Sequence, residues 1–421
     1  MRIFISAGEP SGDLHAANLI HSLRRNVPDA VFLGYGGPRM AEAGATVLFP
    51  LVDLAVMWFL NVFLNIATFI RLVFQADRLF RDDKPDAVVL IDYPGLHWWI
   101  ASRAKARGIP VIYFVPPQIW AWGGWRVGKV KKSIDQVLCS LPFEPAWYHA
   151  RGVSQAHYVG HPYFDELAER MLDQEFLNAQ TQKQGRLVAI LPGSRTQELK
   201  RNLPDMIRAA IELAASRSDV RFAVACLHDR HRLMAEEIVA QYQASENPSA
   251  RAEIEIHTAK TPELIRLARV AWAVSGSVGL ELMADNVPSV VLYKVNRFDL
   301  WVARHFIRSK FISLVNLLAD DEVFPEFLTW RDASHDLARY ARAWLDETDA
   351  RTRAVAAIDA LRRKVANPGA SDRAADRIVE YLKHRGDPKA GASEPSRQAY
   401  RGPHEIRALG EPTPRAEDHA H

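Results

Sequence analysis

Only two cysteines, Cys139 and Cys226, occur among the 421 residues. They lie in apolar, strand-like runs far apart in sequence, which leaves neither a disulfide framework nor a cysteine-ligated zinc site and fits a reducing compartment, the cytoplasm. Charge of one sign is scarce too. With 53 Lys and Arg against 50 Asp and Glu the net charge is +3, too small an excess to point to nucleic acid. No D-x-D occurs, and the adjacent pairs Asp82-Asp83 and Asp320-Asp321 face apart on a helix, so no metal site is expected. A G-x-S-x-G elbow and a G-x-x-x-x-G-K-[ST] loop are both missing, which argues against serine-hydrolase and P-loop chemistry. No period of the solenoid type is present.

What remains is an ordinary globular composition, 48% hydrophobic and 24% charged, long enough for two domains. The first apolar run, Ile3 to Ala7, ends at a Gly-Glu-Pro turn and reads as a first strand rather than a leader. One segment stands out. Residues 54–70 (LAVMWFLNVFLNIATFI) carry no charge. They fall short of the roughly 20 residues that span a bilayer, and Asn61 and Asn65 interrupt the apolar run. Trp58, Phe59, Phe63 and Phe69, with Arg71, Arg78 and Arg81 beside them, favour a helix lying in a membrane face. A buried core helix is the alternative, and a spanning helix a third.

Along the first half, strands alternate with helices: Arg2–Ala7, a helix from Leu14 to Arg25, then strands Ala30–Tyr35, Ala87–Ile91, Val111–Val115 and Gln136–Cys139. Continuous apolar runs of this kind imply strands covered on both faces, as in a parallel sheet. A polar stretch, Leu172 to Arg186, reads as a linker. The second half repeats the grammar with strands at Arg186–Leu191, Val220–Ala225, Ala252–His257, Val270–Ser275 and Ser289–Lys294, and a helix at Pro204–Ser216. Beyond Pro325 the chain turns helical. Its last 36 residues, Gly386 to His421, hold five Pro and four Gly and are expected to be disordered.

Chemistry concentrates in the turns. Leu191-Pro192-Gly193-Ser194-Arg195 follows a strand and precedes a helix, where backbone N–H groups and a helix dipole favour phosphate. Gly193 admits close approach, Ser194 donates a hydroxyl, and Arg195 can fork onto two oxygens. A second turn of the same kind, Ser275-Gly276-Ser277-Val278-Gly279, follows 80 residues later. Two such cradles read as a nucleotide-diphosphate site. Glu281, one turn further, suits ribose hydroxyls. In the first half, Gly8-Glu9-Pro10-Ser11-Gly12-Asp13 closes the first strand. Glu9 and Asp13 there suit sugar hydroxyls, or Asp13 caps the following helix. Asp92 in Asp92-Tyr93-Pro94-Gly95 is either a general base or a turn aspartate bonded to its own backbone. The run Pro116–Arg126, with Gln118 and three indoles including Trp120, either stacks on sugars and acyl chains or packs under a loop. Arg126, Lys129, Lys131 and Lys132 behind it read as a solvated basic face, a lipid contact or a phosphate contact.

Taken in order, these blocks resemble the lipid-A-disaccharide synthase family: AGEPSGDLHAANL at 7–19, GYGGPRM at 34–40, IDYPG at 91–95, PPQIWAW at 116–122, LPFEP at 141–145, VGHP at 159–162, LPGSR at 191–195, SGSVGLEL at 275–282, and LVNLLA with PEFL within 314–328. The resemblance spans roughly residues 1–385. It implies an α/β protein of the GT-B fold: an acceptor- and membrane-facing Rossmann-like domain at 1–180, a UDP-sugar domain at 186–345, helices 346–385 returning to the first domain, and a disordered tail at 386–421. It implies a metal-independent, inverting transfer of diacylglucosamine from UDP to the 6-hydroxyl of diacylglucosamine 1-phosphate, with no cofactor. It also implies a seat on the cytoplasmic face of the inner membrane through residues 54–70.

The roles it implies are equally specific. Asp92 is the base, with Glu9 the second catalytic candidate. Arg195 and the N–H groups near Gly193 and Ser277 receive the departing diphosphate. Glu281 holds ribose, Tyr293 lies near uracil, and Asn316 sits beside the cleft. Gly193, Ser194, Ser275, Gly276, Gly279, Ser11, Gly12, Gln118 and Trp120 complete the expected substrate contacts. The sequence departs from the family pattern at Gly95, His97, Val315, Ser277 and Val278. Two enzymatic rivals share the architecture, a UDP-sugar 2-epimerase and a transferase acting on an undecaprenyl carrier; a binding protein without chemistry is a third. A homodimer that exchanges its helical C-terminal third is compatible with the pattern.

Overall fold

The computed structural model describes residues 1–53, 66–245, 252–297, Leu300 and 310–385. Residues 54–65, most of the uncharged segment, and the expected disordered tail lie outside the described residues.

Thirteen strands form two sheets in the described residues. The first contains β1 (Arg2–Ala7), β2 (Val31–Gly36), β3 (Thr46–Pro50), β4 (Ala87–Ile91), β5 (Val111–Phe114), β6 (Gln136–Cys139) and β7 (Ala156–Tyr158), in the order β3-β2-β1-β4-β5-β6-β7. The second contains β8 (Arg186–Leu191), β9 (Val220–Cys226), β10 (Ile254–Thr258), β11 (Val270–Ala273), β12 (Ser289–Lys294) and β13 (Glu326–Thr329), in the order β10-β9-β8-β11-β12-β13. Every pairing is parallel.

Alternating side chains of each strand enter opposite layers. Phe4, Val88 and Leu90 pack on one face of the first sheet; Ile3, Ile5, Val89 and Ile91 pack on the other. In the second sheet Val188 and Ile190 face one layer, Leu187, Ala189 and Leu191 the other. This two-sided burial explains why the strands read as unbroken apolar runs. In both sheets the chain starts in the middle, winds one way, then crosses back to the other side. Connections therefore diverge at β1/β4 and at β8/β11, and such switch points leave a crevice at the carboxyl ends of the strands.

The sequence reading does not include the edge strands β3 and β7, and four further features differ from it. The long helix of the second domain runs Thr196–Ser216, with Pro204 inside it rather than at its start. Leu199, Leu203, Met206 and Ala210 form its buried stripe, so the apolar period begins before the proline. The stretch read as a linker contains helix Gln174–Thr181, which packs on the second domain: Arg221 donates to Gln180 Oε1 and O at 2.6 and 2.9 Å. Residues 326–329, expected to be helical, form the edge strand β13 against β12. Helix Asp349–Val365 places Ile358, Leu361 and Val365 in the second domain's core, and only helix Ala370–His384 returns to the first, where Ala374, Ala375 and Ile378 pack beside Ile20 and Leu23.

That return is fastened at its start. Asp165 accepts from Gly369 N, Ala370 N and Ser371 N at 2.6, 3.0 and 2.8 Å, and Arg373 donates to Val159 O at 2.7 Å.

Candidate active site

At the first switch point β4 must leave the middle of the sheet and enter helix Pro94–Ala106 within two residues. The backbone does so through a double left-handed elbow, Asp92 at φ 51° and Tyr93 at φ 46°. Each such residue costs roughly 1–3 kcal/mol and persists only where its surroundings hold it. Here two donors converge on the Asp92 carbonyl, Tyr113 Oη at 2.6 Å and His97 Nδ1 at 2.7 Å. The elbow lays the Tyr93 ring over Gly8, where a Cβ would lie 2.2 Å from the ring. Gly8 is thus required by Tyr93, and the two loops close against each other. Burial, with the negative charge of Glu9 adding to it, raises the Asp92 carboxyl to about 6. Glu9 and Ser11 are exposed at the mouth of the helix, and Gly12 is buried beneath them.

Asp13 has neither of its expected roles. Helix Pro10–Asn26 starts before it, with Glu9 at the N-cap. Its buried carboxylate accepts instead from Gly37 N, Arg39 N and Met40 N at 2.8, 3.0 and 3.2 Å. It caps the short helix Pro38–Glu42 of the neighbouring crossover, which accounts for the Gly-Gly-Pro-Arg-Met block.

At the second switch point, the Gly193 turn delivers the chain into the N-terminus of helix Thr196–Ser216. Because the helix starts at Thr196, its positive end abuts the turn directly. Gly193 has φ 115°, and a Cβ there would lie 2.5 Å from Glu198 Oε2. Glu198 folds back on the Arg195 N–H at 3.3 Å and the Arg195 guanidinium at 3.2 Å. Ser194 and Arg195 face solvent. Across the crevice, Ser275 donates to Ile312 O at 2.6 Å, and a Cβ on Gly276 would meet nothing within 4 Å. Gly276 and Ser277 are exposed, whereas Gly279 packs under Val315. Tyr293 sits at the carboxyl end of β12, half-buried.

Two expected contacts have other work. Asn316 is completely buried: its Nδ2 donates to Phe324 O and Glu326 Oε2 at 2.7 and 3.0 Å, and its Oδ1 accepts from Val323 N and Phe324 N at 2.9 and 2.8 Å. With donors and acceptor used inside the protein, it braces the segment that receives Ser275 and does not line the crevice. The Trp120 indole donates to the buried Glu144 at 3.1 Å, and Glu144 also accepts from Leu141 N at 3.0 Å. Burial lifts the Glu144 carboxyl to about 7. The indole N–H is thereby committed while its ring packs edge-on to Phe143. Gln118 is exposed at the start of that turn.

Glu281 joins the two halves. Tyr163 Oη, from the first-domain side, donates to its Oε1, and Arg170 donates to its Oε2 at 2.6 Å. Burial raises its carboxyl above the ordinary range despite those partners. An apolar layer continues the joint, Leu141, Tyr163 and Phe164 packing with Leu280, Leu282 and Val315. The segments that follow β6 and β7 therefore pack against the helix that follows β11. None of Tyr163, Arg170 or Tyr113 carried a local motif that sequence reasoning could seize, and His97 stood out only as a departure from the family pattern.

Among the described residues no group of His, Cys, Asp and Glu could hold a metal, and no helix is long and apolar enough to cross a membrane. Helix Ile66–Asp82 buries Leu72, Val73, Ala76 and Phe80 but exposes Ile66, Ile70 and Phe74, four residues apart on one stripe. Arg71 and Arg78 are exposed beside them, and the Arg103 guanidinium lies 5.9 Å from the Phe74 ring centre.

Two parallel doubly wound sheets meeting across their switch points define a GT-B architecture. Solved structures bear this out: the chain superposes on a UDP-GlcNAc 2-epimerase from Neisseria meningitidis bound to UDP-GlcNAc with a TM-score of 0.59 and 11% identity, covering 91% of this chain and 100% of that one. A glycotransferase of kitacinnamycin gives 0.58 at 15% identity, over 90% and 98%. These likenesses establish the fold and do not separate a transferase from an epimerase.

Sequence makes the separation. Residues 3–375 match the family model described as Lipid-A-disaccharide synthetase. The chain is 34% identical over 383 residues to the lipid-A-disaccharide synthase of Myxococcus xanthus (90% of this chain, 97% of that protein), and 33% identical over 401 residues to that of Aromatoleum aromaticum (94% and 99%). The chain belongs to the lipid-A-disaccharide synthase family and is a glycosyltransferase of lipid A biosynthesis.

Proposed function

We propose that the two switch points divide the reaction, the first activating the acceptor and the second holding the UDP-sugar. The observation that carries this is their pairing: the half-buried elbow carboxylate ends β4, the glycine-serine turns end β8 and β11, and Glu281 behind the last turn is bonded to Tyr163 and Arg170 of the other half. Asp92 takes the proton from the 6-hydroxyl of diacylglucosamine 1-phosphate. That oxygen attacks the anomeric carbon of UDP-diacylglucosamine from the side opposite the diphosphate. The bond to UDP breaks, configuration inverts, and a β-1,6-linked disaccharide 1-phosphate leaves.

A carboxyl near 6 is ionised at neutral pH yet basic enough to receive a proton in the transition state. Arg195 and the N–H groups of both turns stabilise the charge growing on the leaving diphosphate. Glu281 accepts the ribose hydroxyls, trading some of its present contacts for them, and Tyr293 lies toward the uracil. Glu9, Ser11 and Gly12 border the acceptor sugar, with Gln118 and Trp120 beside its acyl-bearing face.

The same reading seats the protein on the cytoplasmic face of the inner membrane. Support comes from the exposed Ile66–Ile70–Phe74 stripe flanked by arginines, which continues the uncharged segment 54–65. Domain limits near 172 and 366, with a returning C-terminal helix, belong to the proposal as well.

The test is direct. Purified protein with the two lipid substrates yields UDP and a disaccharide lipid, while Asp92→Asn binds UDP by calorimetry and scarcely turns over. Full activity in Asp92→Asn, or epimerisation of UDP-GlcNAc by the parent, refutes the assignment.

A further inference from the structure

Asp92 is held by more than its own loop. Its carbonyl oxygen receives Tyr113 Oη from β5 at 2.6 Å and His97 Nδ1 from helix Pro94–Ala106 at 2.7 Å, while His97 Nε2 lies 2.9 Å from Ser6 Oγ on β1. The chemistry of these partners fixes the protons. A carbonyl only accepts, so Nδ1 carries the hydrogen. Nε2 then presents its lone pair, and Ser6 must donate to it. His97 and Ser6 are fully buried and Tyr113 nearly so. Burial drives the His97 imidazole down to about 4, which keeps it neutral and preserves this tautomer at working pH.

The geometry points to His97 and Tyr113 as positioning residues for the transfer, a two-donor clamp that holds the Asp92 carboxylate in its elbow and touches no substrate. It rests on the reading of Asp92 as the base. Both clamped torsions, φ 51° and φ 46°, lie where side-chain-bearing residues settle only under constraint. The clamp draws on β1, β5 and the helix after β4, so three elements fix one peptide. With a donor removed, the elbow relaxes toward ordinary backbone and the carboxylate swings off the acceptor hydroxyl. The groups facing Asp92 are Glu9 from the β1 loop, Tyr93 beside it, neutral His97 and Tyr113. Glu9 is the one whose charge raises the carboxyl.

Four full-length variants test the clamp by steady-state kinetics across pH. Tyr113→Phe and His97→Phe are each expected to lower kcat about tenfold to a hundredfold, the scale of an ångström-sized misplacement. KM for both lipid substrates stays within about twofold of the parent, since nothing that binds them has been removed. The acid limb of kcat/KM moves down from near 6 as Asp92 regains water. His97→Asn, whose amide can still donate to the carbonyl, recovers most of the lost turnover. If Tyr113→Phe and His97→Phe keep parental kcat and acid limb while Asp92→Asn is inactive, the clamp is wrong and the base assignment stands. If Asp92→Asn is itself active, the base assignment fails. Should His97→Phe not fold, Tyr113→Phe decides alone, because it deletes a single oxygen.

Discussion

Asn316 offers the sharpest test of the disagreement between pattern and structure. The family resemblance puts it beside the crevice; the structure makes it a brace with four hydrogen bonds, and no side-chain surface left over. Asn316→Ala strands the Phe324 N–H and the Phe324 carbonyl, while Val323 N keeps a second acceptor, Asp321 O, at 3.1 Å. Each buried group left unsatisfied costs about 1–3 kcal/mol. With two such groups the sum lies near 2–6 kcal/mol. For a domain of this size, that corresponds to a fall of roughly 4–24 °C in the unfolding midpoint. Asn316→Asp should fare little better, because it sets a second carboxylate 3.0 Å from Glu326. The assay is thermal unfolding beside kinetics at a temperature where both proteins are folded. The brace predicts a large midpoint loss, near-parental kcat, and a few-fold weaker UDP-sugar KM as the segment holding Ser275 loosens. A variant with unchanged midpoint and abolished turnover would refute the structural reading and return Asn316 to the crevice.

Asp92 couples activity to stability. Its carboxyl is raised from 3.8 to about 6 in the folded protein, so folded protein binds more protons there and loses stability as pH climbs through that window, by up to about 3 kcal/mol. Asp92→Asn should therefore unfold at a higher midpoint than the parent at pH 8 and show no such advantage at pH 4; equal midpoints at both would remove the burial argument. Glu281→Gln should weaken UDP binding at least about tenfold by calorimetry, whereas Tyr163→Phe, which frees one carboxylate oxygen, should bind UDP as well as the parent or better. A comparable loss in Tyr163→Phe would make that hydroxyl a nucleotide contact. Arg195→Lys should cost on the order of a hundredfold in kcat, since a point charge cannot fork onto two phosphate oxygens; parental turnover would place the diphosphate elsewhere.

The sheets were legible because parallel strands advertise themselves. Runs such as Ala87–Ile91 are apolar at every position, and a buried strand between two helical layers needs that. Short edge strands gave no such signal: Glu326–Thr329 is half-buried throughout and reads as part of a helix. Turns bearing Gly193 and Gly276 were visible as local patterns, whereas their supports were not. Tyr163 and Glu281 meet across 118 residues, and His97 reaches Ser6 across 91. Pro204 misled for a physical reason: a proline usually opens a helix, yet here the buried stripe beginning at Leu199 carries the helix through it. Asp13 sits one turn into its own helix and serves another, a role no local pattern predicts.

The chain passes between the lobes twice, once through residues 159–172 and once near 366–369. Asp165 of the earlier passage grips three amides of the later one, and Arg373 of the later grips Val159 of the earlier. Two bodies strung on one thread can swivel freely, but two threads knotted together leave a single pivot. Any widening of the crevice must then resemble a book turning on its spine.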